Sequence, residues 1–121
     1  MRYLLSFGSN APGREQFMER ARQWLAQNFA NVESSDIYSS PAHNGVAPDY
    51  LNMVARGDSE LSVTDLTAAA KDFERQQGRT PQSKQRGAIE LDIDIIAAGP
   101  TILRPAEYTR PYFLRGLEAL G

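Results

Sequence analysis

The sequence predicts an α+β domain on a ferredoxin-like βαββαβ plan: an antiparallel sheet with helices on one face, the other face free for ligand, and a short C-terminal helical extension. Three observations predict it. Two stretches carry apolar residues at helical spacing, one over 14–29 and one between Ser62 and Gly78. Four stretches read as strands: 2–7, a segment around Ile37 and Tyr38, 50–55, and 90–96. The two kinds follow one another in the order β-α-β-β-α-β. No linker, internal repeat or composition shift interrupts the 121 residues, so a single domain, 1–121, is expected.

Each element has a local reason. Residues 2–7 form an apolar run that stops at Gly8, and Ser9 to Gly13 are turn residues. Phe17, Ala21, Trp24, Leu25 and Phe29 recur with the period of an amphipathic helix. Residues 39–49 hold two Pro, Asn and Gly, hence a loop; His43 within it is read as an exposed loop residue. Tyr50 to Ala55 alternates as a strand does. Ser62 followed by Asp65 resembles a capping box, Leu66, Ala69, Ala70 and Phe73 make the apolar stripe, and Gly78 suits the left-handed residue that ends a helix. Residues 79–89 are polar and basic, hence a loop. After the last strand, 97–100 turn, and the remainder is irregular up to a helix near 111–119.

Composition excludes several classes. Hydrophobic content of 41% and charged content of 23% are those of an ordinary globular chain. No apolar run nears the roughly 20 residues of a membrane span. The start, with one charge and a short apolar stretch, reads as a strand rather than a signal peptide. No Cys means no disulfide or thiol chemistry, and one His excludes a multi-histidine metal site. Net charge of −2 argues against a broad nucleic-acid-binding face. Small-molecule partners, no nucleic acid, no membrane, a cytoplasmic location and a monomer or weak dimer are the expectations. Of the 13 basic residues, 11 are Arg, the side chain best suited to bidentate phosphate contacts.

The strand at 90–96 carries the chemistry. Leu91, Ile93 and Ile95 point one way, and Glu90, Asp92 and Asp94 the other. The two Asp lie about 6.6 Å apart by the pleat repeat. Like charges on one face are either solvated or held by a cation. Asp is a poor strand former, which favours the cation. Oxygen ligands without His or Cys suit Mg²⁺, which takes one or two carboxylates and completes its shell with water and substrate phosphates. The preceding loop brings Arg75, Arg79, Lys84 and Arg86 close in sequence, either a solvated connection or a phosphate clamp. Ser40, Pro41, Tyr50 and Asn52 offer an aromatic wall and an amide suited to a lactam edge; a satisfied turn Asn is the plain alternative. No Walker sequence is present.

Collinear motifs make the reading specific. They are Leu4 to Asn10, Tyr38-Ser39-Ser40-Pro41, Pro48-Asp49-Tyr50-Leu51-Asn52, Glu74-Arg75-Gln76-Gln77-Gly78-Arg79, and Glu90-Leu91-Asp92-Ile93-Asp94-Ile95, with a weaker tail at Arg110-Pro111-Tyr112-Phe113-Leu114. In these the chain resembles the 6-hydroxymethyl-7,8-dihydropterin pyrophosphokinases of folate biosynthesis. The resemblance implies transfer of the pyrophosphoryl group of ATP, the co-substrate, to the pterin hydroxymethyl oxygen with release of AMP. It implies two Mg²⁺ held by Asp92 and Asp94, and ATP contacts from Glu74, Arg79 and Arg110. It implies a pterin site of Ser40, Pro41, Tyr50, Asn52 and a stacking Tyr112. Arg79, Arg86 and Arg110 are the expected catalytic cations.

The sequence departs from the family in two places. Gln85-Arg86-Gly87-Ala88-Ile89 stands where the family has Arg-Trp-Gly-Pro-Arg. The ATP-contacting His after the Asp strand is missing, with Arg104 a stand-in by charge only. A non-catalytic pterin- or nucleotide-binding paralogue is therefore the alternative.

Overall fold

In the computed structural model, which describes residues 1–41 and 48–120, the chain runs β1 (Arg2–Ser9), α1 (Arg14–Asn28), β2 (Ala30–Ser34), β3 (Tyr38–Ser40), β4 (Tyr50–Asp58), α2 (Val63–Gln76), α3 (Ser83–Arg86), β5 (Asp92–Ala98), β6 (Thr101–Ile102), α4 (Pro105–Tyr108) and α5 (Pro111–Leu120). The strands make one sheet in the order β2-β4-β1-β5-β6, with β3 also on β4, and every described pairing is antiparallel. The α+β class with an antiparallel sheet is as expected.

Strand alternation builds the core. Tyr3, Leu5 and Phe7 of β1 face α1 and α2, level with Met53 and Ala55 of β4 and Ile93 and Ile95 of β5. Trp24 of α1 stacks on Phe73 of α2 with ring centres 5.7 Å apart, closing the layer above the sheet. Helix α2 begins as its sequence predicts: the Ser62 Oγ accepts from the Asp65 N–H at 3.1 Å. It ends at Gly78 with φ of 101°, a conformation that costs Gly little.

The opposite sheet face departs from expectation. It is not wholly free, because α5 packs there, with Phe113 buried against Val54 and Ile96. Gly116 permits the approach: a Cβ at that position would meet the Tyr38 Oη and Val54 Cγ2 at 2.3 Å. Helices therefore lie on both faces, and the open part of this face is confined to the end of the sheet bearing Gly8, Asn52 and Asp92.

Other differences are local. The strand expected near 37–38 is two short strands, β2 and β3. Between them, Ser35 exchanges hydrogen bonds with Val54, its N–H donating to the Val54 oxygen and its Oγ accepting from the Val54 N–H. The basic loop contains a one-turn helix, α3, and the segment read as irregular holds β6 and α4. Strand β5 starts at Asp92, so Glu90 precedes it and turns to Ser83 and Arg86. No helix among the described residues is long and apolar enough to cross a membrane.

Candidate active site

Register places the site. Gly8 lies opposite Asn52 on one side and Asp92 on the other; Ser6 lies opposite Val54 and Asp94. Three adjacent strands thus bring the amide of Asn52, a bare glycine and the Asp92 carboxylate to one row of the open face, with Asp94 in the next row. A cleft of about 420 Å³ sits over that row. Of the site residues that the resemblance implies, all but Glu74 and Arg86 line it; Arg75 and Glu90, also singled out from sequence, do not. Lys71, Lys84, Arg104 and Glu107 line it too.

The acidic end is a network of paired charges. Arg79 Nη1 lies 2.9 Å from Asp92 Oδ1, and Arg104 Nη1 lies 3.4 Å from Asp94 Oδ1. Burial, then the neighbouring Asp92, pushes the Asp94 carboxyl up to about 7, against the opposing pull of Arg104 and Lys71. Glu74 sits beneath. It is 3% exposed, accepts from the Ile93 N–H of β5 at 2.7 Å, and pairs with Lys71 and Arg79 at 3.2 Å each. Burial raises its carboxyl, and the Ile93 hydrogen bond and both cations oppose that rise. Glu74 thus buttresses β5 and Arg79 from below.

The other end is polar and aromatic. Asn52 Nδ2 donates to the Ser40 Oγ at 2.7 Å and to the Tyr38 oxygen at 3.3 Å. The Tyr112 hydroxyl donates to Glu107 Oε2 at 2.7 Å, and the same oxygen is 3.2 Å from Arg110 Nε. The Tyr38 hydroxyl donates to the Tyr112 oxygen at 2.5 Å. Burial and Glu107 hold the Tyr112 hydroxyl far above its ordinary range, so it stays protonated. Tyr50 faces the carboxylates, and burial with Asp92 raises its hydroxyl too. His43 lies outside the described residues.

The loop between α2 and β5 differs from expectation. Arg86 does not line the cleft: its Nη2 lies 3.2 Å from Glu90 Oε2 and 3.3 Å from the Ser83 Oγ. Ile89, where the resemblance leads one to expect an arginine, is buried and fixed by Asn10. Asn10 also donates from Nδ2 to the Gly87 oxygen at 2.9 Å and to the Pro48 oxygen at 3.3 Å. Sequence reading gave Asn10 no part to play; its place just after Gly8, at the end of a central strand, was the available signal. Glu107 was missed because its segment was read as irregular, although its partners Arg110 and Tyr112 are only three and five residues on.

The donor set suits Mg²⁺. No third His, Asp or Glu joins Asp92 and Asp94 in a metal-binding cluster among the described residues. Two hard oxygen ligands on one strand face, beside an open cleft ringed by cations, leave the remaining positions to water and phosphate, as Mg²⁺ prefers. The arrangement can take a metal-bound polyphosphate at one end and a flat polar heterocycle at the other.

Comparison with known proteins points the same way. The family described as 7,8-dihydro-6-hydroxymethylpterin-pyrophosphokinase matches residues 4–121. The chain is similar to the 2-amino-4-hydroxy-6-hydroxymethyldihydropteridine pyrophosphokinase of Haemophilus influenzae, 30% identical over 112 residues, which span 90% of this chain and 69% of that protein. It is similar to the mitochondrial folate synthesis bifunctional protein of Pisum sativum, 27% identical over 90% of this chain and 21% of that one. The folate synthesis bifunctional protein of Arabidopsis thaliana is 29% identical over 79% of this chain and 20% of its own length. The chain thus spans about a fifth of each bifunctional relative.

Proposed function

The chain belongs to the 7,8-dihydro-6-hydroxymethylpterin-pyrophosphokinase family, and from that premise we propose that it transfers the pyrophosphoryl group of ATP to the hydroxymethyl oxygen of 6-hydroxymethyl-7,8-dihydropterin, with Mg²⁺, in folate biosynthesis. The observation that carries the reading is the row of Asn52, Gly8 and Asp92 across β4, β1 and β5, with Asp94 beside it. It sets an amide suited to a heterocycle in one cleft with a carboxylate pair suited to Mg²⁺. Strands β2 and β3, both on β4, stand for one interrupted edge strand of the ferredoxin-like plan, and residues 1–121 are taken as one domain.

In this reading the pterin lies between Tyr50 and Tyr112, with its amide edge on Asn52 and the backbone near Ser40 and Pro41. Glu107 holds the Tyr112 ring and Arg110 in place through one carboxylate oxygen. Asp92 and Asp94 hold the Mg²⁺, two ions by the family resemblance; bound there, the metal supplies charge neutralisation to the phosphate oxygens. The nucleotide phosphates draw Arg79 and Arg104 from the carboxylates they pair with, and Arg110 reaches the same group. The base fits a smaller apolar slot of about 190 Å³ lined by Val63, Thr67, Ile93, Ile95 and Leu103, which opens beside Asp94 and Arg104.

The chemistry is an in-line displacement. The hydroxymethyl oxygen forms a bond to the β-phosphorus, the bond from that phosphorus to the αβ-bridging oxygen breaks, AMP leaves with that oxygen, and the hydroxyl proton passes to solvent. The protein's part is positioning and charge stabilisation. Incubation with ATP, Mg²⁺ and the hydroxymethyl-dihydropterin yields AMP and the pterin diphosphate in equal amounts; failure to form AMP removes the reading. Burial of Ile89 and the tether on Arg86 favour a second reading, a binding paralogue, which predicts pterin binding by calorimetry without AMP.

A further inference from the structure

We propose that Lys84, on the one-turn helix of the α2–β5 loop, is a phosphate-contacting residue that supplies the transition-state cation on the loop side of the cleft. The proposal rests on the pyrophosphoryl-transfer reading above and names the group that performs a task for which Ile89 and Arg86 are poorly placed.

The loop is a built frame. Ser83, fully buried, accepts from the Thr80 N–H at 3.0 Å and donates to Glu90 Oε1 at 2.6 Å. Arg86, three residues on and therefore on the same side of the turn, closes over it onto Glu90. Gly87 ends the helix at φ of 71°, and Asn10 fixes the Gly87 oxygen and the Ile89 N–H. With Ser83 and Arg86 turned to Glu90, Lys84 is rotated about 100° away from Ser83, and it lines the cleft.

The charges decide what it meets there. The other cleft-lining cations have carboxylate partners: Arg79 with Asp92, Arg104 with Asp94, Lys71 with Glu74, and Arg110 with Glu107. Lys84 forms no ion pair among the described residues. An exposed ammonium on a four-carbon stem, rooted in a fixed helix beside a metal-binding pair, is complementary to a non-bridging oxygen of the transferring phosphoryl groups. Lysine binds phosphate as a point charge, so it needs no bidentate geometry and reaches as the cleft fills.

The test is AMP formation by wild type, Lys84→Ala, Lys84→Arg and Arg86→Ala, with calorimetry of a non-hydrolysable ATP analogue and Mg²⁺. Lys84→Ala lowers kcat on the order of 10²-fold, more than it raises KM for ATP, and Lys84→Arg restores most of the loss. A Lys84→Ala enzyme with wild-type kcat overturns the proposal, as does Arg86→Ala losing turnover while Lys84→Ala keeps it. A wild type that makes no AMP sinks the reading of function, and calorimetry then decides Lys84. Affinity for the analogue weakens on the order of tenfold in Lys84→Ala if the contact is real, and is unchanged if it is not. Wild type that neither turns over nor binds the analogue overturns both.

Discussion

Asn10 and Ile89 clasp one another across the cleft rim: the Asn10 N–H donates to the Ile89 oxygen at 3.1 Å, and the Ile89 N–H donates to Asn10 Oδ1 at 2.6 Å. One side chain at the end of β1 therefore sets where the basic loop rejoins the sheet. Asn10→Ala removes an acceptor from a buried N–H and a donor from the Gly87 and Pro48 oxygens, a loss of about 2 kcal/mol. Urea unfolding should show it at unchanged slope, and limited proteolysis should cut sooner within 79–89. A variant with wild-type stability and protection would mean that the loop is fixed by something else.

Gly116 controls the second layer. Any Cβ there strikes Val54, a β-branched residue of a central strand with little freedom to yield. Gly116→Ala should cost roughly 1–3 kcal/mol, although alanine is the better helix former. Because α5 carries Tyr112, the same change should weaken pterin affinity, read by fluorescence titration. If stability rises, as helix propensity alone would have it, then α5 is not seated against β4 as described.

Glu74 tests whether the site rests on a buried charge. Its carboxylate joins the Ile93 N–H, Lys71 and Arg79. Glu74→Ala strands two cations and an amide and should cost about 3 kcal/mol, visible in thermal unfolding. Glu74→Gln keeps an acceptor for Ile93 and should cost less. Equal losses in the two variants would point to packing, not hydrogen bonding, as the contribution of this residue.

Sequence patterning located most of this site for a physical reason. Alternation along a strand has a period of two, so Asp92 and Asp94 had to share a face, and a polar face in a central strand has few uses. Ser62 and Gly78 announced α2 through backbone chemistry that is local. What stayed hidden was set by side-chain contacts that spacing alone does not reveal. Glu90 falls outside β5 because Ser83 and Arg86 capture it. Arg86 was read as a cleft cation because spacing cannot say which side of a one-turn helix faces inward. Helix α5 was legible as a helix, but not its docking on the sheet face opposite α1 and α2, which depends on Gly116 meeting Val54 across 62 positions of sequence.

Asp94 gives the pH dependence. Its carboxyl is raised from an ordinary value of 3.8 to about 7 in the fold. A group raised in this way binds its proton more tightly when folded. Its contribution to stability is complete below about 4 and is lost as pH rises through about 7. The metal-free protein should therefore melt lower at pH 8 than at pH 5, by several degrees on the order expected for a domain of this size, and Asp94→Asn should flatten that slope. Mg²⁺ with a non-hydrolysable ATP analogue needs the ionised pair. It should raise the melting temperature of wild type at pH 8, do so little at pH 5, and leave Asp94→Asn nearly unmoved. The two effects have opposite signs on one residue: the substitution stabilises the metal-free protein at pH 8 and abolishes the gain from ligand. An Asp94→Asn protein that keeps the wild-type pH slope would place the titrating group elsewhere. One that keeps the full ligand response would remove Asp94 from the metal site.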